Sequence, residues 1–152
     1  AGDGALLNMC KNLVNQLCLE NYVVFLGVIT PNEYMSLLSE SLAFVQHSIV
    51  ADNGDMEGTP VSILEASAAG LPIISTYHAG IPDIIVNGKT GLLSEEHDVD
   101  AMASNMLQVL DNVSYAKQLG QAGKINIKEN FSIKKHISNL DEVLYEVSKS
   151  TV

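Results

Sequence analysis

Two acids eight residues apart, Glu57 and Glu65, bracket a segment whose residue types suit the binding of an anion: Glu57-Gly58-Thr59-Pro60-Val61-Ser62-Ile63-Leu64-Glu65-Ala66. Thr59 reads as the N-cap of a helix and Pro60 as its first residue. Gly58, ahead of the cap, lets a ligand come close to the backbone. Pro60 has no amide, but those of Val61 and Ser62 point out of the helix start. There the macrodipole favours an anion such as a pyrophosphate. Glu57 lies in the loop before this point and Glu65 in the second turn after it, so the two carboxylates flank the anion position. A carboxylate accepts hydrogen bonds from two vicinal hydroxyls, which suits a ribose or a hexose ring. Taken alone, the pair reads as two solvated acids around an ordinary cap, and the surrounding residues change that reading.

The elements that must carry this segment alternate between two periods. Leu6, Leu7, Met9, Cys10, Leu13, Val14 and Leu17 recur at helical spacing over about residues 5–19. Four apolar runs have strand length: Tyr22–Gly27, Leu42–His47, Pro72–Thr76 and Gly91–Leu93. Between them lie a helix opened by Pro31, the helix from Thr59 to Gly70, and a short one from Gly80 to Val86. From Asp98 onward the pattern is helical, with breaks expected near Asp111-Asn112, from Gly120 to Gly123, and at Phe131-Ser132. Strands without polar alternation, separated by helices, predict parallel βαβ units. The fold class is therefore α/β, a doubly wound parallel sheet forming a single domain over 1–152. In such sheets ligands bind at the carboxyl ends of the strands, beside helix N-termini.

The chain has 152 residues, 47% of them hydrophobic, enough to bury roughly 70% of the unfolded surface. Eight Lys+Arg against 18 Asp+Glu leave a net charge of −10. That charge argues against a nucleic-acid partner and against adsorption to an anionic membrane. Two cysteines in one helical pattern form neither a disulfide framework nor a zinc knuckle. The four histidines lack metal-ligand spacing, so no metal and no cofactor is expected. A cytoplasmic location follows from the same features.

The series of motifs resembles the retaining glycosyltransferases of family 4, which have the GT-B fold. Glu57 and Glu65 match that family's Glu-x7-Glu motif. Gly2-Asp3-Gly4 resembles its Gly-Asp-Gly-Pro element, with Ala5 for Pro, and Val24-Phe25-Leu26-Gly27 resembles a characteristic strand. Glu65-Ala66 through Ala69-Gly70-Leu71-Pro72, Gly80-Ile81-Pro82-Asp83, Gly91-Leu92-Leu93 and Asn130-Phe131-Ser132 follow in the family's order. Asn53-Gly54-Asp55-Met56-Glu57-Gly58 with Ser75-Thr76-Tyr77-His78 is most similar to enzymes of bacterial exopolysaccharide assembly, of the colanic-acid and amylovoran type.

The resemblance implies a Rossmann-like C-terminal domain that binds a nucleotide-diphosphate sugar. Its hexosyl unit would pass, with retention, to a growing polysaccharide or lipid-linked glycan. Glu57 would serve as the catalytic-site acid on the donor sugar's hydroxyls, and Glu65 would take the ribose hydroxyls. Gly58, Thr59, Val61 and Ser62 would line the diphosphate, and Val28 and Ile29 would meet the base. His78, at a strand end, joins the donor-binding candidates. The family's phosphate-gripping Arg and Lys and its acceptor domain lie upstream of residues matched here, and the chain opens without Met. It is thus expected to be N-terminally incomplete, with any membrane contact, at the inner face of the plasma membrane, made through the absent domain. In the family's strand order, 3-2-1-4-5-6, Tyr22–Gly27 would be strand 3, so a gap two strands wide, or a slide of strand 3 against strand 4, is expected. Two alternatives stand beside this: a non-catalytic nucleotide-binding module of the same fold, and a related GT-B nucleotide-sugar enzyme such as an epimerase.

Other polar residues read as structural. His47, His97 and His136 are expected at the surface or in packing, and Cys10 and Cys18 on the core face of the first helix. Ser67 and its neighbouring alanines are small because their helix packs closely on the sheet. Glu95, Glu96, Asp98 and Asp100 form a helix-start cluster that favours the dipole.

Overall fold

A computed structural model describes residues 1–150, Ser150 by its backbone alone. The chain forms two compact units, Ala1–Ser39 and Glu40–Val152, a division that the alternating pattern did not signal.

The first unit holds two helices, α1 (Leu7–Gln16) and α2 (Pro31–Glu40, whose last residue falls in the second unit). Pro31 opens α2, as its fixed φ favours, behind a reciprocal cap. The Thr30 N–H donates to Glu33 Oε2 (2.7 Å), and the Glu33 N–H donates to Thr30 Oγ1 (3.3 Å). Helix α1 has the expected amphipathic spacing but no buried residue. Cys10 and Cys18 are exposed, not core residues, and both are free thiols. In this unit only Leu38 is buried, because about 40 residues enclose too little volume for a core.

Tyr22–Gly27 is not a strand. Its run of β-formers is extended in type, but the backbone hydrogen bonds at its ends form no ladder: Tyr22 N–H and Val23 N–H donate to Leu19 O, and Gly2 N–H to Gly27 O. A strand exists through its ladder partners, and among the described residues none pairs with this segment. Nor has it slid against the next strand, which pairs on one side only.

The second unit is built on a parallel sheet of three strands in the order β1 (Phe44–Val45), β2 (Ile73–Thr76), β3 (Gly91–Ser94). Phe44 faces Ile73 across one ladder and Ile73 faces Gly91 across the other. Every residue of β2 and β3 is buried, as strands covered on both faces must be. Helix α3 (Val61–Ala69) joins β1 to β2, and the short α4 (Ile81–Ile84) joins β2 to β3. Then α5 (Val99–Asp111), α6 (Val113–Asn130) and α7 (Ile133–Ser150) follow. Ile74 and Leu92 pack with Val109 of α5 and Ala116 and Leu119 of α6 to form the core. The side chains of Asp98 and Asn112 cap α5 and α6, accepting from Ala101 N–H and Tyr115 N–H.

The expected break at Gly120–Gly123 is absent, and α6 runs straight through both glycines. They are packing residues: a Cβ on Gly120 would collide with Gly70 O, and one on Gly123 would lie 2.7 Å from Ser67 Oγ. Helices α3 and α6 thus meet almost backbone to backbone, and this accounts for the small residues of both. Gly70 itself ends α3 in the left-handed conformation (φ 97°). Among the described residues, no helix is long and apolar enough to cross a membrane.

Candidate functional site

The segment holding both acids lies at the carboxyl end of the sheet, in the second unit. Residues 51–58 form an exposed loop folded by local turns. Ala51 N–H donates to Asp55 O (2.9 Å), Gly54 N–H to Ala51 O (2.8 Å), and Asp55 N–H to Asn53 Oδ1 (3.0 Å). Helix α3 begins one residue later than the sequence suggests. Pro60, not Thr59, is the N-cap residue, with extended backbone (φ −63°, ψ 120°), and no side chain caps the helix. Pro60 is buried. Its ring anchors the turn in the core, and Thr59 is left exposed in the loop. The uncapped start leaves the positive end of the helix dipole facing the loop.

Around this start the fold assembles three loops. Gly80, in the turn between β2 and α4, donates its N–H to Gly58 O (3.0 Å). A Cβ at Gly80 would strike Thr59 Oγ1 and lie 3.2 Å from Gly58 O, so only glycine allows the turn to seat here. Ser48, after β1, is fastened to the end of β2: its N–H donates to Thr76 Oγ1 (2.9 Å), which donates in turn to Ser48 O (2.6 Å). Glu57 reaches this framework through its Oε2, which accepts from Gln46 Nε2 (3.1 Å) and, at the limit of contact, from Ser48 Oγ (3.5 Å). Ser62 Oγ donates to Gln46 Oε1 (2.6 Å).

The structure therefore brings together Glu57, Gly58, Thr59 and Ser62, with Val61 exposed beside them at the first turn of α3. Glu65 is also exposed and lies four residues beyond Val61 and three beyond Ser62, on the same helix face. Its carboxylate has no hydrogen bond among the described residues. Val28 and Ile29 belong to the first unit, Val28 exposed and Ile29 half-buried.

His78 stands differently from the expectation that its side chain meets a ligand. The ring is buried; Nδ1 lies 2.6 Å from Glu96 Oε1, and Nε2 is enclosed without a partner. A carboxylate only accepts, so Nδ1 carries the proton toward Glu96. Neither ring nitrogen is open to solvent, and the imidazole braces the turn that Gly80 presses against Gly58. Glu96 does more than favour a helix dipole. Its Oε1 accepts from His78 Nδ1–H and its Oε2 from the Val50 N–H (3.0 Å). The His78 hydrogen bond, then the Val50 amide, hold its carboxyl below the usual carboxylate range against the opposing effect of burial.

Spacing within the sequence gave no sign of Gln46, Ser48 or Glu96. Gln46 and Ser48 lie 11 and 9 residues from Glu57 and meet it only because the long loop between β1 and α3 folds back, while Glu96 lies 18 residues from His78 and meets it across the ends of β2 and β3. A mostly apolar cavity of about 380 Å³ also opens at this end of the sheet, lined by His47, Thr76, Ser94, Val99, Met102 and Met106 among others. His47 thus lies on a cavity wall, and His97 beside it holds a left-handed backbone (φ 66°).

Comparison with known proteins fits this geometry. Residues 1–126 match the family model for glycosyl transferases group 1. The chain is 32% identical to the amylovoran biosynthesis glycosyltransferase AmsK of Erwinia amylovora over 145 residues, covering 94% of this chain and 35% of that protein. It is 37% identical to the putative colanic acid biosynthesis glycosyltransferase WcaL of Salmonella typhimurium over 98 residues, 64% of this chain and 24% of the relative. The chain thus spans about a quarter to a third of the length of these curated relatives. Among solved structures, Anabaena HepE in complex with UDP-glucose superposes with a TM-score of 0.79 at 18% identity, covering 95% of this chain and 39% of that one. The C-terminal domain of the group 1 glycosyl transferase LpcC from Francisella tularensis gives 0.72 at 24%, covering 86% and 66%. These likenesses place the parallel sheet in the GT-B, Rossmann-like class. With a family model that covers most of its length and relatives that carry exopolysaccharide names, the chain belongs to the group 1 glycosyl transferases.

Proposed function

We propose that this chain is the donor-binding part of a retaining glycosyltransferase that moves a hexosyl unit from a nucleotide-diphosphate sugar to a growing polysaccharide or lipid-linked glycan in the cytoplasm. The observation that carries the reading is the placement of Glu57 and Glu65 on either side of the uncapped start of α3, at the carboxyl end of a parallel sheet. The colanic-acid and amylovoran names of its relatives support it.

In this reading the diphosphate lies at the helix start against Gly58, Thr59, Val61 and Ser62, where the dipole and the backbone amides meet its charge. Glu65 accepts from the ribose hydroxyls and Glu57 from those of the sugar. The acceptor oxygen attacks the anomeric carbon on the face that the nucleotide leaves. The bond from that carbon to the phosphate oxygen breaks, and the acceptor's proton passes to the departing diphosphate. What the site must supply is stabilisation of the leaving charge, more than a base.

Titration calorimetry with UDP-glucose, GDP-mannose and ADP-glucose, each beside its free nucleoside diphosphate, tests this. One of the three should bind, and Glu65→Ala should weaken the matching free nucleotide at least about tenfold, as loss of a hydrogen-bond acceptor that carries charge implies. Glu57→Ala should instead remove the extra affinity due to the sugar. No binding by any of the three, or free-nucleotide affinity unchanged in Glu65→Ala, would overturn the reading.

A further inference from the structure

Glu57 sits on an exposed loop held by short-range turns, yet its carboxylate is tied to a rigid part of the fold, chiefly through Gln46 (3.1 Å) and at the limit of contact through Ser48 Oγ (3.5 Å). Gln46 directly follows β1. Its N–H donates to Ile74 O (3.1 Å) and its carbonyl accepts from Ser75 Oγ (2.6 Å), so its backbone is fixed to β2 on both sides. Its side-chain amide spans the gap between two other elements, accepting from Ser62 Oγ on α3 (2.6 Å) and donating to Glu57 Oε2 (3.1 Å). The orientation of the amide is set by chemistry. A carboxylate only accepts, so the NH2 must face Glu57, and the remaining carbonyl oxygen must face the hydroxyl of Ser62. Reversing it would set two oxygens against each other. Glu57 Oε2 is thereby engaged, while Oε1 has no hydrogen bond among the described residues and keeps its lone pairs for a ligand.

We infer that Gln46 is a positioning residue, holding the Glu57 carboxylate in register with the first turn of α3 so that one oxygen is presented to the donor sugar. The inference rests on the donor-binding reading of Glu57. It has a specific energetic consequence: Gln46 acts on the sugar's share of binding and not on the nucleotide's. A preorganised acceptor loses no freedom when the hydroxyl arrives, whereas a carboxylate on a loose loop does.

The experiment compares the affinity ratio of nucleotide sugar to free nucleoside diphosphate, using whichever of UDP-glucose, GDP-mannose or ADP-glucose binds the chain. The variants are Gln46→Leu, Glu57→Ala, the double variant, and Gln46→Glu from pH 4 to pH 8. Gln46→Leu should lower the ratio about fivefold to tenfold, less than direct loss of a charged acceptor because Gln46 acts only through Glu57, with affinity for the free nucleotide unchanged. The double variant should fall no further than Glu57→Ala alone, since both remove the same interaction. Gln46→Glu provides a readout that a purely structural role would not move. At pH 4, within the ordinary carboxyl range, one proton between the introduced carboxyl and Glu57 lets the pair hydrogen-bond as the amide did, so the ratio approaches that of the parent. At pH 8 the two carboxylates repel, and it falls to the level of Gln46→Leu or below.

A folded Gln46→Leu variant with the parental ratio, an additive double variant, or a Gln46→Glu ratio flat in pH would each overturn the assignment of Gln46. Should Gln46→Leu fail to melt cooperatively, the pH profile of Gln46→Glu decides alone. A ratio unmoved by Glu57→Ala has a separate meaning: it overturns the donor-sugar role of Glu57, and the inference falls with it. A ratio lowered by Glu57→Ala but not by changes at Gln46 leaves the donor reading standing and removes only the positioning role.

Discussion

Ile73–Thr76 and Tyr22–Gly27 are near equals as sequence, since each is a short run rich in β-formers next to glycine or proline. In the folded chain they share almost nothing. Ile73–Thr76 is buried at every position and hydrogen-bonded on both sides. Tyr22 and Val24 of the other run are 83% and 74% exposed, and no ladder includes them. The residues supply a preference for extended backbone in both cases. Pairing and burial, which come from the rest of the fold, turn that preference into a strand in only one of them.

Truncation is the severest way to probe that contrast. Ile74→Ala removes a side chain 1% exposed in the centre of the core, and it should cost about 2–5 kcal/mol in urea denaturation. Val24→Ala, on the exposed run, should stay within about 0.5 kcal/mol. Comparable losses at the two positions would show that Tyr22–Gly27 is packed and would break the contrast.

Next in size is a substitution that adds atoms. Gly120→Ala places a methyl group against Gly70 O, where backbone must move, and overpacking of this kind costs about 1–3 kcal/mol. An alanine in the middle of a helix is otherwise favourable by about 0.5–1 kcal/mol over glycine, so a stabilised variant would mean that α3 and α6 do not meet as closely as this.

Gly120 also shows where sequence reading reaches its limit. Glycine weakens an isolated helix, so Gly120–Gly123 reads as a break. The demand for close approach to Gly70 comes from 50 residues away and outweighs the propensity. The same reason explains the other differences. Thr59 has the right chemistry for a cap, but burial of Pro60 sets the helix start one residue on. Cys10 lies on the apolar stripe of its helix, yet the first unit has no core for that stripe to face. What could be read correctly was local: the helix stop at Gly70, the helix that begins after Asp98, and the runs that became β2 and β3. For the candidate site, Glu57 and Glu65 stood out because their spacing lies within one loop and one helix. Gln46, Ser48 and Glu96 did not, because the first two meet Glu57 only through the fold of a long loop and Glu96 meets His78 only across two strand ends.

Acid sensitivity gives the smallest expected effect, and it again sets the two units side by side. Among the described residues each has one carboxyl held below its usual range. Glu33, in the first, is lowered by the backbone and then the hydroxyl of Thr30; Glu96, in the second, by His78 and then the Val50 amide. A carboxyl whose value is depressed on folding stabilises the folded state fully above its unfolded value, about 4.3. That contribution is lost as pH falls from there through the lower folded value. Both pairs therefore favour the fold at neutral pH and weaken it only in acid. Their consequences should differ, because Glu33 fastens a helix end in a unit with little core, whereas Glu96 fastens the buried His78 beneath the Gly58–Gly80 contact. Melting curves at stepped pH from 7 to 3 should show that Glu96→Gln flattens the acid limb of the main cooperative transition, while Glu33→Gln changes it less. Salt should reduce both effects, since each carboxyl is open to solvent. An acid limb unchanged by Glu96→Gln would mean that the His78 pair adds nothing to the stability of the second unit, and that the Gly58–Gly80 contact stands without it.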